Sequence, residues 1–164
     1  MDKNIFSLKD KVALITGASK GIGEAIALVY AQQGARVFIN SRKAEELNAV
    51  AGIIQQHGGA CTAIAGNVGD LNFCKELITQ VSTTAGGLDI LVNNAATNPV
   101  YGPVVQTEAW AFDKIMSVNV KSPFELARLA YPIMKARGGG SIINISSVAG
   151  DTPDPGLGIY SVSK

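Results

Sequence analysis

The sequence runs to 164 residues, 47% hydrophobic and 16% charged, and its 14 basic and 13 acidic side chains leave a net charge of +1. That length predicts a single domain over residues 1–164, and the composition excludes the disordered, fibrous and membrane classes. The even charge gives no reason to expect a nucleic-acid or membrane-surface partner, and no apolar run reaches spanning length.

The chain opens M-D-K-N-I-F-S-L-K-D, without the apolar stretch of a secretory signal. Val12 to Thr16 reads as a buried strand, and Gly21 to Gln33 as a helix by the spacing of Ile22, Ile26, Val29 and Tyr30. Gly34 ends it before a second strand, Arg36 to Asn40, and a helix from Ala44 to Gln56 stopped by Gly58-Gly59. Cys61 to Ala65 is a third strand, Leu71 to Thr84 a helix, and Leu88 to Val92 a fourth strand after Gly86-Gly87. A long helical stretch runs from about Thr107 to Arg137, and Ser141 to Ser146 is a fifth strand. Strands separated by helices predict an α/β fold, a doubly wound parallel sheet with right-handed crossovers. The stretch Phe124 to Met134 is apolar nearly all round and calls for cover on two faces. One face suits the sheet; the other suits a second subunit or a further piece of the same chain.

Cys61 and Cys74 lack C-x-x-C spacing and a nearby His, as reduced thiols of a cytoplasmic protein would. His57 fits a helix C-terminus, and one histidine makes no metal site. Asn144-Ile145-Ser146 matches a glycosylation acceptor but falls in what reads as a buried strand. Trp110 and Phe112 are expected to pack.

Thr16 to Gly23 reads T-G-A-S-K-G-I-G, directly after a strand and opening a helix. Gly17, Gly21 and Gly23 permit a tight turn and close approach to a pyrophosphate, while N–H groups from Ser19 to Ile22 face the anion. The spacing G-x-x-x-G-x-G resembles that of the short-chain dehydrogenase/reductase family, which implies a Rossmann fold binding a nicotinamide dinucleotide. A carboxylate at the end of the second strand would suit NAD, but this chain has Asn40-Ser41-Arg42-Lys43 there. Arg42 suits a 2′-phosphate, and Lys20 adds a second positive charge, so the expected cofactor is NADP(H). The plainer alternative is that Arg42 and Lys43 solvate a helix start.

Asn93-Asn94-Ala95-Ala96 resembles the family's N-N-A-G, with Ala96 in place of the glycine, which implies that the segment stabilises the sheet and that Asn94 and Ala95 pass the adenosine ribose. Asn67, with Val68 beside it, stands where relatives carry an aspartate that touches adenine. Both stretches also suit plain turns. Asn119 in S-V-N-V-K-S-P-F resembles the family's active-site asparagine, which bends its helix and anchors a water beside the catalytic lysine.

Ser147 follows the fifth strand, Tyr160 comes thirteen residues later, and Lys164 lies four beyond that. Ligands of open α/β sheets bind at the carboxyl ends of the strands, where Ser147 falls. On a helix, the i,i+4 spacing brings Tyr160 and Lys164 to one face. An ammonium there lowers the phenol pKa from about 10 and makes Tyr160 a general acid or base. Ser147 would polarise the carbonyl; Ser146 is the competing serine, with the less fitting spacing. The resemblance extends over essentially the whole chain and is nearest to NADPH-dependent carbonyl (retinal-type) reductases. It implies a small carbonyl or alcohol substrate, a homodimer or homotetramer, and further C-terminal strands and helices beyond Lys164. The chain is then expected to be a fragment of a longer enzyme. The alternative is a noncatalytic nucleotide-binding or interaction module ending at Lys164.

Overall fold

A computed structural model describes residues 5–164. Residues 1–4, part of the opening stretch considered above, lie outside the described residues. Five strands, β1 (Val12–Thr16), β2 (Arg36–Ser41), β3 (Ala60–Ala65), β4 (Ile90–Asn93) and β5 (Ser141–Asn144), form one parallel sheet in the order β3-β2-β1-β4-β5. The helices between them are α1 (Gly21–Gln32), α2 (Ala44–Gln56), α3 (Leu71–Ala85), α4 (Ala109–Met116), α5 (Ser122–Ala136) and, last, α6 (Gly158–Ser163). The expected doubly wound Rossmann arrangement is what forms.

Both faces of the sheet are covered at its centre, so β1 is buried at every residue although its side chains still alternate. Val12 and Leu14 join Leu77, Val81, Leu126 and Ala130 from α3 and α5 on one face. Ala13 and Ile15 meet Ala27, Leu47 and Ile54 from α1 and α2 on the other. The chain winds outward from β1 to β3, then returns to place β4 on the other side of β1. This reversal opens a crevice between the carboxyl ends of β1 and β4, the usual place for a ligand in such a sheet.

Several expectations are corrected. The buried stripe of α1 consists of Gly23, Ala27 and Ala31, whereas Ile22 and Val29 are exposed. Small residues let that helix lie close on the sheet, so size rather than hydropathy decides which face turns inward. β4 begins at Ile90 rather than Leu88, and β5 ends at Asn144 rather than Ser146. β5 is exposed throughout at the sheet edge, so Asn144 is not in a buried strand and that ground for dismissing the acceptor pattern fails. Trp110 and Phe112 do not pack; both are exposed. The stretch expected to be helical from Thr107 starts at Ala109 and is interrupted by a π-helical turn, Ser117–Lys121, centred on Asn119. Pro123 has no N–H to offer the Asn119 carbonyl four residues earlier, so the α-helical ladder cannot continue there and the turn widens. On α5, Leu126, Ala130 and Met134 are buried and Phe124 and Tyr131 exposed, which leaves one apolar face uncovered.

Both cysteines are free and buried; burial pushes the Cys61 thiol up to about 11, which keeps it protonated and unreactive. His57 sits at the C-cap of α2 with Nδ1 2.8 Å from the Ile53 carbonyl oxygen, as expected of a helix end.

Candidate active site

Thr16 closes β1 and begins the site. Its hydroxyl donates to the Val92 carbonyl (3.3 Å) and accepts from the N–H groups of Asn94 and Ala95, both at 3.1 Å. The Asn94 amide then donates to the Thr16 and Gly17 carbonyls at 2.9 and 3.0 Å. β4 thus staples the glycine turn from behind. The staple fits only because Gly17 and Gly23 lack side chains. A Cβ on Gly23 would lie 2.5 Å from both Asn94 Nδ2 and the Gly17 oxygen, and one on Gly17 (φ +64°) 2.8 Å from Ala95 Cα. Gly23→Ala is accordingly expected to cost about 1–3 kcal/mol in overpacking and to weaken dinucleotide binding at least tenfold. A thermal melt and a cofactor titration measure the two effects.

In front of the staple lies a cleft of about 280 Å³. Gly17, Ser19, Lys20, Ser41, Arg42, Asn67, Val68, Asn94 and Ala95, all candidates from the sequence, line it. Gly21, Ile22 and Gly23 do not: they form the first turn of α1, with Gly23 buried behind and Ile22 exposed. Asn40, Gly66, Ala96, Thr97 and Val118 also line it, beyond the residues expected from the sequence. For Asn40 the signal lay in its position as a polar residue closing an apolar strand. Its amide donates to the Ile64 and Gly66 carbonyls (2.9 and 3.3 Å), locking the ends of β2 and β3 together at the cleft floor. The Asn67 side-chain oxygen accepts from the Gly69 N–H at 3.1 Å, so the plain turn role is real, and its amide N–H groups make no bond among the described residues.

Ser19 and Ser41 are joined through their hydroxyls at 3.0 Å, which holds the glycine turn against the end of β2. Lys43 is paired with Glu46 at 2.5 Å across the first turn of α2, so for this residue the plainer role at a helix start holds. That lysine, with further help from Lys20 and Ser19, holds the Glu46 carboxyl below its ordinary value despite some desolvation. Arg42 and Lys20 make no ion pair among the described residues.

Asn119 is buried in the π turn and fully engaged. Its oxygen accepts from the Thr97 N–H (2.8 Å), and its amide donates to the Thr97 carbonyl (3.0 Å) and the Ser163 hydroxyl (2.9 Å). Ser163 passes the contact on to the Tyr160 carbonyl at 2.7 Å. The π turn therefore holds the loop after β4 with one hand and α6 with the other. It also borders a second cavity, about 330 Å³, shared with Ser146, Ser163 and Lys164.

Ser147 caps a short 3-10 turn, Val148–Gly150, its oxygen accepting from the Ala149 N–H at 3.2 Å. Its own proton finds no acceptor among the described residues, whereas Ser146 donates to the Lys164 carbonyl at 2.7 Å. The two serines are thereby separated: Ser146 ties down the end of α6, and Ser147 keeps a free donor. Tyr160 lies on α6, and its hydroxyl bonds no protein group among the described residues. Lys164 stands at the C-cap of α6, with its ammonium donating to the Ile145 carbonyl at 2.5 Å. Burial pushes the Lys164 ammonium below its ordinary pKa. No hydrogen bond joins Ser147, Tyr160 and Lys164 to one another; α6 and the 3-10 turn that hold them are packed together.

No group of three or more metal-ligating side chains occurs among the described residues, and no described helix is long and apolar enough to cross a membrane. The model of the short chain dehydrogenase family matches residues 11–164. Human dehydrogenase/reductase SDR family member 4 is 39% identical over 157 residues, which cover 96% of this chain and 56% of that protein. An uncharacterized oxidoreductase of Thermotoga maritima is 42% identical over 158 residues, 96% of this chain and 62% of that one. The chain thus spans little more than half the length of these curated relatives. Among solved structures, a metagenomic short-chain oxidoreductase in complex with NADP superposes with a TM-score of 0.92 at 38% identity, covering 96% of this chain and 71% of its own. A 7α-hydroxysteroid dehydrogenase complexed with NADH and 7-oxo glycochenodeoxycholic acid does so equally well, at 34% identity and 96% and 61% coverage.

Proposed function

The chain belongs to the short-chain dehydrogenase family, and from that premise we propose that it is the cofactor-binding and catalytic part of an NADP(H)-dependent oxidoreductase that interconverts a carbonyl and an alcohol. The observation that carries this reading is the cleft at the β1–β4 reversal, where Lys20 and Arg42, neither in an ion pair among the described residues, stand beside a glycine turn with no carboxylate at the end of β2. One related structure holds NADP and another NADH, so the choice of cofactor rests on this chain's own residues. Two cations beside the end of β2 are what a 2′-phosphate requires.

Ser19, Ser41 and Asn67 orient the adenosine end, and Gly17 with the opening of α1 receives the pyrophosphate. A bound nicotinamide supplies or accepts the hydride. In reduction Tyr160 gives its hydroxyl proton to the carbonyl oxygen, and in oxidation it takes that proton back. Ser147 donates its free proton in a hydrogen bond to the same oxygen as negative charge builds there. The Lys164 ammonium, four residues from Tyr160, favours the charge left on the phenolic oxygen. Asn119 positions α6 through Ser163. Small ketones, aldehydes or quinones are the proposed substrates, in a cytoplasmic homodimer or homotetramer whose assembly uses the exposed face of α5.

Arg42→Ala tests the cofactor assignment. The Kd for NADPH should rise about 10–100-fold, the worth of a charge-assisted hydrogen bond to a phosphate, while the Kd for NADH stays put. Fluorescence titration with both nucleotides measures this, and an unchanged preference would remove Arg42 from the site.

A further inference from the structure

Two segments are fastened together outside the cofactor cleft. One is the segment between β4 and α4; the other joins Ser147 to Tyr160. The Tyr101 hydroxyl donates to the Pro155 carbonyl at 2.9 Å, and the Gly102 N–H donates to the Gly156 carbonyl at 3.0 Å. Gly156 has φ +87°, and a Cβ on it would lie 2.6 Å from the Tyr101 ring. The ring therefore lies directly on the glycine. Tyr101 is nevertheless 78% exposed. Burial does little to fix so exposed an aromatic ring; the hydrogen bond and the glycine contact hold it in place. At its other end the same segment is anchored by the paired hydrogen bonds between Thr97 and Asn119.

We infer that the β4–α4 segment is a strap in which Tyr101 is a positioning residue: it clamps the loop between Ser147 and Tyr160 and so sets the room for the substituents of the carbonyl. This rests on the reductase reading, because it takes Ser147 and Tyr160 as the groups that meet the carbonyl oxygen. Substituents on that carbon must pass the chain joining those two residues, and Tyr101 holds that chain at Pro155 and Gly156, nearer its Tyr160 end. The strap acts on fit rather than on chemistry, since Tyr101 lines neither the cofactor cleft nor the cavity beside Lys164.

Tyr101→Phe removes the hydrogen bond and keeps the ring; Tyr101→Ala removes both. Neither disturbs the core. Amide hydrogen exchange at Gly102 reads the clamp without any turnover, and should be faster in both variants, most in Tyr101→Ala. Steady-state kinetics with a small and a bulky ketone should show KM for the bulky one raised about three- to tenfold, the loss of one hydrogen bond, with kcat and NADPH affinity unchanged. Unchanged exchange and unchanged KM overturn the inference. A parallel loss of NADPH affinity also overturns it, by making the effect a general loosening. If the parent turns over no carbonyl or alcohol, the reductase reading falls and takes the specificity role with it. An active parent matched by both variants removes the strap alone.

Discussion

Tyr160→Phe is expected to lower carbonyl turnover by about 10²–10⁴-fold while NADPH binds as before, the loss of one general acid and nothing else. The substitution is clean because the Tyr160 hydroxyl has no protein partner among the described residues. Deleting an oxygen that bonds nothing leaves no orphaned donor or acceptor, and the retained ring keeps the packing of α6. Ser147→Ala is less clean, because the Ala149 N–H loses its 3.2 Å acceptor and the turn that carries the serine loosens with it. A fall in rate for that variant mixes lost polarisation of the carbonyl with lost geometry. Stopped-flow reduction of a ketone, alongside a nucleotide titration, separates chemistry from binding. Turnover that survives in Tyr160→Phe would mean that the proton comes from another group, and the assigned mechanism would fail.

What was legible in the sequence divides along a physical line. Strand and helix alternation is a local signal, so the α/β class and the glycine turn could be read directly. The cleft could be largely listed as well, because its residues lie at strand ends in fixed relation to that turn. The order of the strands is not local, and the staple by which Asn94 holds Thr16 and Gly17 depends on β4 lying beside β1. A segment read as passing the ribose therefore also builds the glycine turn. The spacing of Ile22, Ile26, Val29 and Tyr30 marks α1 as a helix but not its inward face, because close approach to the sheet favours Gly23, Ala27 and Ala31. The π turn had a local signal in Pro123, whose missing N–H lies four residues beyond Asn119. Ser146 and Ser147 differ in their partners: Ser146 bonds Lys164 at the end of α6, eighteen residues away, and Ser147 bonds Ala149 in the turn it caps, two residues away. Spacing favoured Ser147; only the hydrogen bonds give a physical reason for it.

Arg137→Ala is expected to destabilise the fold by about 3 kcal/mol, the cost of leaving a buried carboxylate without its partner. Asp89, just before β4, is 6% exposed. Its two oxygens take both Nε and Nη2 of Arg137 at 3.0 Å, and one also accepts from the Val12 N–H at 2.8 Å. The Arg137 guanidinium also donates to the Gly86 carbonyl at 3.3 Å. One ion pair therefore ties the end of α5 to the starts of β1 and β4, the two strands that flank the crevice. Burial alone would raise the Asp89 pKa; the hydrogen bonds from Arg137 and Val12 outweigh it and hold the carboxyl below its ordinary 3.8. The sign of the pH dependence follows. A carboxyl with a depressed folded-state pKa contributes stability that is fully present above about 3.8 and is lost as pH falls through the lower folded value. In Arg137→Ala the burial remains and the guanidinium does not, so the folded-state pKa rises and acid no longer costs the variant as much. Urea melts at pH 7 and near pH 3 should therefore show a gap between parent and variant that is wide at neutral pH and narrows in acid. A gap of constant width would assign the loss to the packing of the Arg137 side chain, and the ion pair would no longer be what joins α5 to the crevice strands.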